Sequence, residues 1–285
     1  MTEQIHRTRA EIAVGAPAAD VYRALTDVVN WPLLYPWIAH TEIIEQHGEE
    51  DLTRFWAVRP GAGGALRVWS SRRRLDSSRL SMEFTQQGTV GAIRQLGGEW
   101  LFIDEADGGS RVESTHWFTA DGDPAATEAE LDRHSSLQMR TLKAAVENRE
   151  ADAARVLRAE RELLVDGPLE EVHRLLVETF TAGADTGPQD ALVVTLGTGE
   201  QAVLVSRAPH RVVLRHLDPP AGLALYKRTW TLAPAPAGVR LTSSQLAVVD
   251  GTQAEGPQAG HPALQTWLDR QADADLRVSE RVQAG

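Results

Sequence analysis

Residues 11–25, EIAVGAPAADVYRAL, return at 162–176 as ELLVDGPLEEVHRLL, with a constant offset of 151. Six of the fifteen positions are identical: Glu11/Glu162, Val14/Val165, Pro17/Pro168, Val21/Val172, Arg23/Arg174 and Leu25/Leu176. Unrelated segments of this length share roughly one identity, and stacked repeats have periods of only about 20–50 residues. The chain therefore reads as two copies of one domain-sized fold, 1–155 and 156–285. Each copy opens with an alternating apolar run (Ile12 and Val14; Leu163 and Val165), then a proline that blocks the strand. An amphipathic helix follows, with acidic residues in its first turn at Asp20 and Glu171.

A chain of 285 residues with 42% hydrophobic and 24% charged residues has ordinary globular composition and the length of about two domains. No run approaches the ~20 apolar residues of a membrane span, and the opening MTEQIHRTRAE is polar, so neither membrane association nor a signal peptide is expected and the cytoplasm is the expected location. With no cysteine there is no disulfide, thiolate nucleophile or Cys-based zinc site. A net charge of −11 argues against nucleic acid as a partner. The nine histidines show no HxxxH or HxH spacing, so no metal is expected. No cofactor is expected either.

In the first copy, strand-like runs at 41–47, 52–58, 66–75, 79–86, 92–103 and 111–119 are separated by turn signals such as Gly48, Gly88 and DGGS at 107–110. A segment without Gly or Pro from about 125 to 158 reads as one long helix, with Leu131, Ser135, Gln138, Leu142, Ala145 and Val146 on one face. The second copy repeats the order, with strands near 190–197, 200–206, 210–217, 223–232 and 239–248, and a helix from Pro262 to about Val282. The expected class is α+β: two tandem domains, each a curved antiparallel sheet around a long C-terminal helix, with a cavity between them. Six of the eight tryptophans fall in the first copy, which places the aromatic material there.

Alternation along residues 67–75 puts Trp69, Ser71, Arg73 and Leu75 on one face and Arg72 and Arg74 on the other. Either all three arginines are solvated on an edge strand, or the Trp69 face is inside and takes Arg73 with it. A buried arginine stays charged and demands an anionic or strongly polar partner. On the strand around 112–118, Ser114 and His116 share a face with Val112 and Phe118. His116 is either a hydrogen-bonded core residue or a group that moves a proton. The segment Asn30-Trp31-Pro32-Leu33-Leu34-Tyr35-Pro36-Trp37 is a stiff aromatic connector that either plugs one end of the sheet or lines a pocket.

The opening strand ending in Ala16-Pro17, the Asn30-Trp31-Pro32 loop, Trp69-x-Ser71-x-Arg73, the Gly98-Glu99-Trp100 strand and the Gln138-Met139-x-x-Leu142-Lys143 helix together resemble type II polyketide aromatase/cyclases. These are helix-grip proteins of the Bet v 1-like/START superfamily, and the duplication is similar to their di-domain members. The resemblance implies aldol cyclisation, dehydration and aromatisation of a first ring in a ketoreduced poly-β-ketone carried by an acyl carrier protein, alongside other type II polyketide synthase components. By position it implies pocket walls at Trp31, Tyr35, Trp69 and Trp100, and polar groups aimed at the chain from Ser71, Arg73, Ser114, His116 and Gln138. The sequence departs from single-domain relatives in having Ile38 where a tyrosine occurs, His116 where glutamine occurs and Gln138 where asparagine or aspartate occurs.

That chemistry needs a base for an acidic methylene, stabilisation of enolate and alkoxide, and an acid to release water. A fixed cation such as Arg73 suits the oxyanion, His116 suits proton transfer, and Tyr35 suits donation. Pocket shape would choose which carbons meet. In the second copy the Trp-x-Ser-x-Arg counterpart reads Val203 to Arg207 in a strand that Pro209 is expected to interrupt, the aromatic loop is missing, and Gln245 stands where His116 does. That copy is expected to be degenerate and structural. A non-catalytic carrier of hydrophobic ligands, or a synthase scaffold, is the alternative.

Overall fold

The computed structural model describes residues 4–58, 65–89, 91–181, 184, 186–197, 199–251 and 261–283, without side chains at 188, 261 and 276–283. Two compact units divide it, one built on the chain up to Val58 and from Arg67 to Arg149, the other on the chain from Glu150 onward.

The first unit runs β1 (His6–Val14), α1 (Ala18–Thr26), α2 (Trp31–Leu34), β2 (Ile38–His47), β3 (Glu50–Val58), β4 (Leu66–Asp76), β5 (Ser81–Gln87), β6 (Ile93–Asp104), β7 (Ser110–Ala120) and α3 (Pro124–Glu147). Its seven strands form one antiparallel sheet in the order β1-β7-β6-β5-β4-β3-β2. In β7 every second residue (Ser110, Val112, Ser114, His116, Phe118) is buried, the period-two signature of a sheet with one face on a core. On α1, Ala18, Val21, Tyr22 and Leu25 are buried at helical spacing. Pro17 offers this helix no side-chain cap, and the cap comes from Asp104 of β6, which accepts from Ala18 N at 2.8 Å. The far end of α3 is tied to β1: Glu147 accepts from Gly15 N at 2.6 Å and from Lys143 Nζ, which also donates to Ala13 O. The core gathers Val21, Leu25, Met82, Trp100, Phe102, Val112, Met139 and Leu142 between sheet and helices.

The second unit follows a short α4 (Arg149–Ala153) and runs β8 (Val156–Val165), α5 (Leu169–Thr181), β9 (Ala191–Thr195), β10 (Gln201–Arg207), β11 (Arg211–His216), β12 (Leu223–Ala235), β13 (Gly238–Val249) and α6 (His261–Gln283). Its sheet has six strands in the order β8-β13-β12-β11-β10-β9, and α6 packs Leu268 and Ala272 against Leu157 and Ala159 of β8.

Two expectations are corrected. The long helix does not continue to 158: it ends at Glu147, and β8 begins at Val156. The segment has the composition of a helix, but pairing β8 with β13 and burying Leu157 and Ala159 outweighs that weak preference. Pro209 interrupts no strand; it lies in the turn between β10 and β11, after a cis peptide bond.

Candidate functional site in the first unit

The inner face of β4 is the one expected. Ser71 and Arg73 are buried, Trp69 and Leu75 pack on the core, and Arg72 and Arg74 are exposed. The partner that a buried arginine demands, however, is supplied by the protein. Arg73 forms a fork with Asp51 of β3, Nε to Oδ1 at 2.9 Å and Nη2 to Oδ2 at 2.6 Å, and donates from Nη1 to Thr26 O at 3.2 Å. Both side chains are 2–3% exposed, and Asp51 also accepts from Thr53 Oγ1. The guanidinium is thus matched by a carboxylate, and the fork joins β3, β4 and the end of α1.

The aromatic connector folds inward as α2, with Pro32 in the first turn, where its missing N–H is harmless. Its rings join a continuous series: Trp69 stacks on Phe55 with centroids 5.0 Å apart, Phe55 lies against Trp31 at 5.0 Å, Trp31 against Tyr35 at 5.1 Å, and Tyr35 against Trp37 at 5.1 Å. Trp31 anchors the series by donating from Nε1 to Leu25 O at 2.8 Å. Tyr35 is 1% exposed, and burial pushes its hydroxyl well above the ordinary phenol range despite the neighbouring Gln138 side chain. The phenol stays protonated at any working pH. Its oxygen makes no hydrogen bond of good geometry, Gln138 notwithstanding.

His116 of β7 and Arg73 occupy the same cross-strand row, which reads His116–Gly98–Phe84–Arg73. Three strand spacings of about 4.8 Å put their backbones about 14 Å apart along the sheet. Between them lies the Phe84 ring, edge-on to the imidazole with centroids 5.6 Å apart. Gly98 makes room for that ring: a Cβ there would meet Phe84 at 2.8 Å and the Thr115 carbonyl at 2.4 Å. Burial, then the charge of His134, lowers the His116 pKa to about 4, so the ring is neutral at pH 7. Ser135 of α3 gives its hydroxyl proton to Leu131 O at 2.8 Å and turns oxygen lone pairs toward His116 Nδ1 at 3.5 Å. That geometry places the imidazole proton on Nδ1 and leaves Nε2 as the basic nitrogen.

A stability prediction follows. Unfolded histidine titrates near 6.5, so between that pH and about 4 the unfolded chain binds the extra proton and stability falls as pH falls. Urea unfolding should show His116→Gln losing about 3 kcal/mol less than wild type from pH 7 to pH 4. Equal losses would contradict a buried neutral imidazole.

The other expected residues also face the interior. Trp100 is 2% exposed and pairs across the strands with Ser114, whose hydroxyl is buried with no hydrogen-bond partner. Ser71 pairs with Gln86 of β5, a residue the sequence reading did not select, and Gln86 is buried with its Nε2 unpartnered. Phe55, Phe84 and Gln86 were within reach of period-two alternation over the strand-like runs. Among the described residues no group of three or more His, Asp or Glu is placed to hold a metal ion, and no helix is long and apolar enough to cross a membrane.

The first unit is thus a sheet wrapped on one long helix, with an aromatic series and unpartnered polar groups on its inner side. Residues 14–157 match the family described as polyketide cyclase / dehydrase and lipid transport, and the chain belongs to that family. It is 27% identical over 303 residues to the granaticin polyketide synthase bifunctional cyclase/dehydratase of Streptomyces violaceoruber, covering 96% of this chain and 93% of that one. It is 28% identical over 258 residues to the actinorhodin polyketide synthase bifunctional cyclase/dehydratase of Streptomyces coelicolor, covering 79% of each. Among solved structures it superposes on the di-domain ARO/CYC BexL with a TM-score of 0.82 and 22% identity, over 98% of this chain and 99% of that one. The di-domain ARO/CYC StfQ from the steffimycin biosynthetic pathway gives 0.78 and 20%, over 97% of each. The fold is the one these di-domain structures share, and the expected class, a curved antiparallel sheet with a long C-terminal helix in each domain, is the one observed.

Proposed function

We propose that the chain is a polyketide aromatase/cyclase that directs first-ring aldol closure, dehydration and aromatisation of a ketoreduced poly-β-ketone delivered by an acyl carrier protein, and that the reacting chain lies inside the first unit. Full-length similarity to bifunctional cyclase/dehydratases supports the reaction class. One observation supports the location above all. Gln86 Nε2 and the Ser114 hydroxyl are buried in an apolar interior without partners, where each unmade hydrogen bond costs about 1–3 kcal/mol. A chain of alternating carbonyls is a row of acceptors suited to such donors.

In this reading His116 Nε2 takes a proton from a methylene between two carbonyls. The resulting carbanion attacks a ketone carbon, forming the ring bond and an alkoxide. The growing enolate raises the basicity of the imidazole beside it, so a ring of low resting pKa can still accept the proton. The same nitrogen returns the proton to the alkoxide, and loss of the hydroxyl with a neighbouring hydrogen releases water. Tyr35, held protonated, and Gln86 donate to the carbonyl oxygens. Trp69, Trp100 and Phe84 limit how the chain folds and so which carbons meet. Arg73 is a positioning residue that acts through Asp51 and β3. The carrier protein, the other synthase components and a cytoplasmic site of action belong to the same reading.

The second unit occupies a supporting role. Its equivalent row is Gln245–Arg228–Leu214–Leu204, so Leu204, rather than Arg207, stands at the place of Arg73 and Gln245 at that of His116. Asp275 of α6 accepts from Gln245 Nε2 at 2.8 Å and Ser243 Oγ at 3.0 Å and pairs with Arg228, which closes the row where the first unit has only Gly98. Addition of the protein to a minimal polyketide synthase should shift the products toward a single first-ring closure. A change in yield with no change in product identity would favour a carrier or scaffold instead.

A further inference from the structure

A separate cavity of about 550 Å³ opens in the second unit, within the usual range of small-molecule sites. It is lined by the rings of Phe180, Tyr226 and Trp267, with His216, Arg228 and Gln271 among them. Tyr226 lies against Trp267 with centroids 5.1 Å apart and against His216 at 4.6 Å. The tyrosine hydroxyl is already committed, donating to Gln245 Oε1 at 2.5 Å. His216 is different. It is 4% exposed, it borders the cavity, and neither ring nitrogen has a hydrogen-bond partner.

The chemistry of the missing partner can be read from its neighbours. Glu200 Oε2 stands 3.4 Å from His216 Nδ1; a carboxylate only accepts, so it favours the imidazole proton on Nδ1 and leaves Nε2 an acceptor. Glu200 is partly solvated, and burial together with the nearby Arg228 and Arg215 keeps the ring uncharged at neutral pH. What satisfies Nε2 is therefore a hydrogen-bond donor, of which a hydroxyl is the simplest. Aromatic walls favour a flat ring system with offset or edge contacts. Arg228 lies over the rings of Phe180 and Trp230 at 5.5 and 4.8 Å, its charge matched by Asp275.

We propose that the second unit binds a planar aromatic compound bearing a ring hydroxyl, which stacks among Phe180, Tyr226 and Trp267 and donates to His216. The aromatised product of the reaction proposed above is a member of this class, but binding itself does not depend on that reading. Titration calorimetry of the full chain with naphthalene-2,7-diol should give saturable binding with a Kd below about 1 mM. The dimethyl ether of the diol, with the same rings and no donor, should bind about tenfold more weakly. His216→Phe should abolish that preference while leaving product formation with a minimal synthase unchanged. In wild-type protein, independent of any variant, nuclear Overhauser contacts should link the diol ring protons to the Trp267 indole. Equal affinity for diol and ether, a preference that survives in folded His216→Phe, or contacts to Trp31 and Trp69 instead of Trp267 would each overturn the proposal.

Discussion

Arg73→Ala should destabilise the first unit by about 3–5 kcal/mol, because it leaves Asp51 as an uncompensated buried charge. Asp51→Ala should do comparable damage from the other side. The pair Arg73→Met with Asp51→Leu, which replaces both charges by apolar groups of similar bulk, should recover most of the loss. Arg72→Ala and Arg74→Ala, on the solvent face, should stay within about 0.5 kcal/mol. These values come from urea denaturation of the full chain. The charge-free pair also separates two roles for Arg73. A positioning role through β3 leaves cyclisation by the folded double variant within several-fold of wild type, whereas an oxyanion role would remove about 10²-fold or more.

The second large effect is expected at His116. Glutamine at this position keeps a neutral polar group but cannot carry a proton away, so His116→Gln should lower the cyclisation rate by about 10²–10⁴-fold. Its pH profile should be distinctive: kcat/KM flat through neutrality and falling only as pH approaches about 4, where the free enzyme protonates the ring. A profile that breaks near 6.5 would mean a hydrated imidazole and an interior open to water.

Period-two alternation and the repeat offset were enough to read the architecture. The offset of 151 reappears as register: Thr8 pairs with His116 and Ala159 with Gln245, so the repeat in the chain is a repeat in the sheet. The interior faces of β4 and β7 were legible because each mixes polar groups with unmistakable core residues. Asp51 was not, since reading β3 from residue 52 leaves it in the turn; one residue earlier, alternation puts it on the face of Thr53 and Phe55. Gln86 sits at the end of a strand whose inner residues, Met82 and Phe84, already pointed to it. What sequence alone withholds is pairing across strands distant in the chain. The Arg73–Asp51 fork and the separation of Arg73 from His116 depend on strand order and register, which no local pattern encodes. The helix that stops at Glu147 illustrates the same limit, because β8 forms through the distant partner strand β13.

The proposed placement of the chemistry in the first unit, although both units share one fold, requires equivalent positions in the two units to behave differently. Register supplies the fairest comparison, since His116 and Gln245 occupy equivalent positions. The decisive measurement is the product distribution and rate of a minimal synthase supplemented with His116→Gln or with Gln245→Ala, each checked for folding. Directed first-ring closure should fall by about 10²-fold or more for His116→Gln, with turnover within a few-fold of wild type for Gln245→Ala. Directed closure that persists in folded His116→Gln, together with its loss in folded Gln245→Ala, would contradict it.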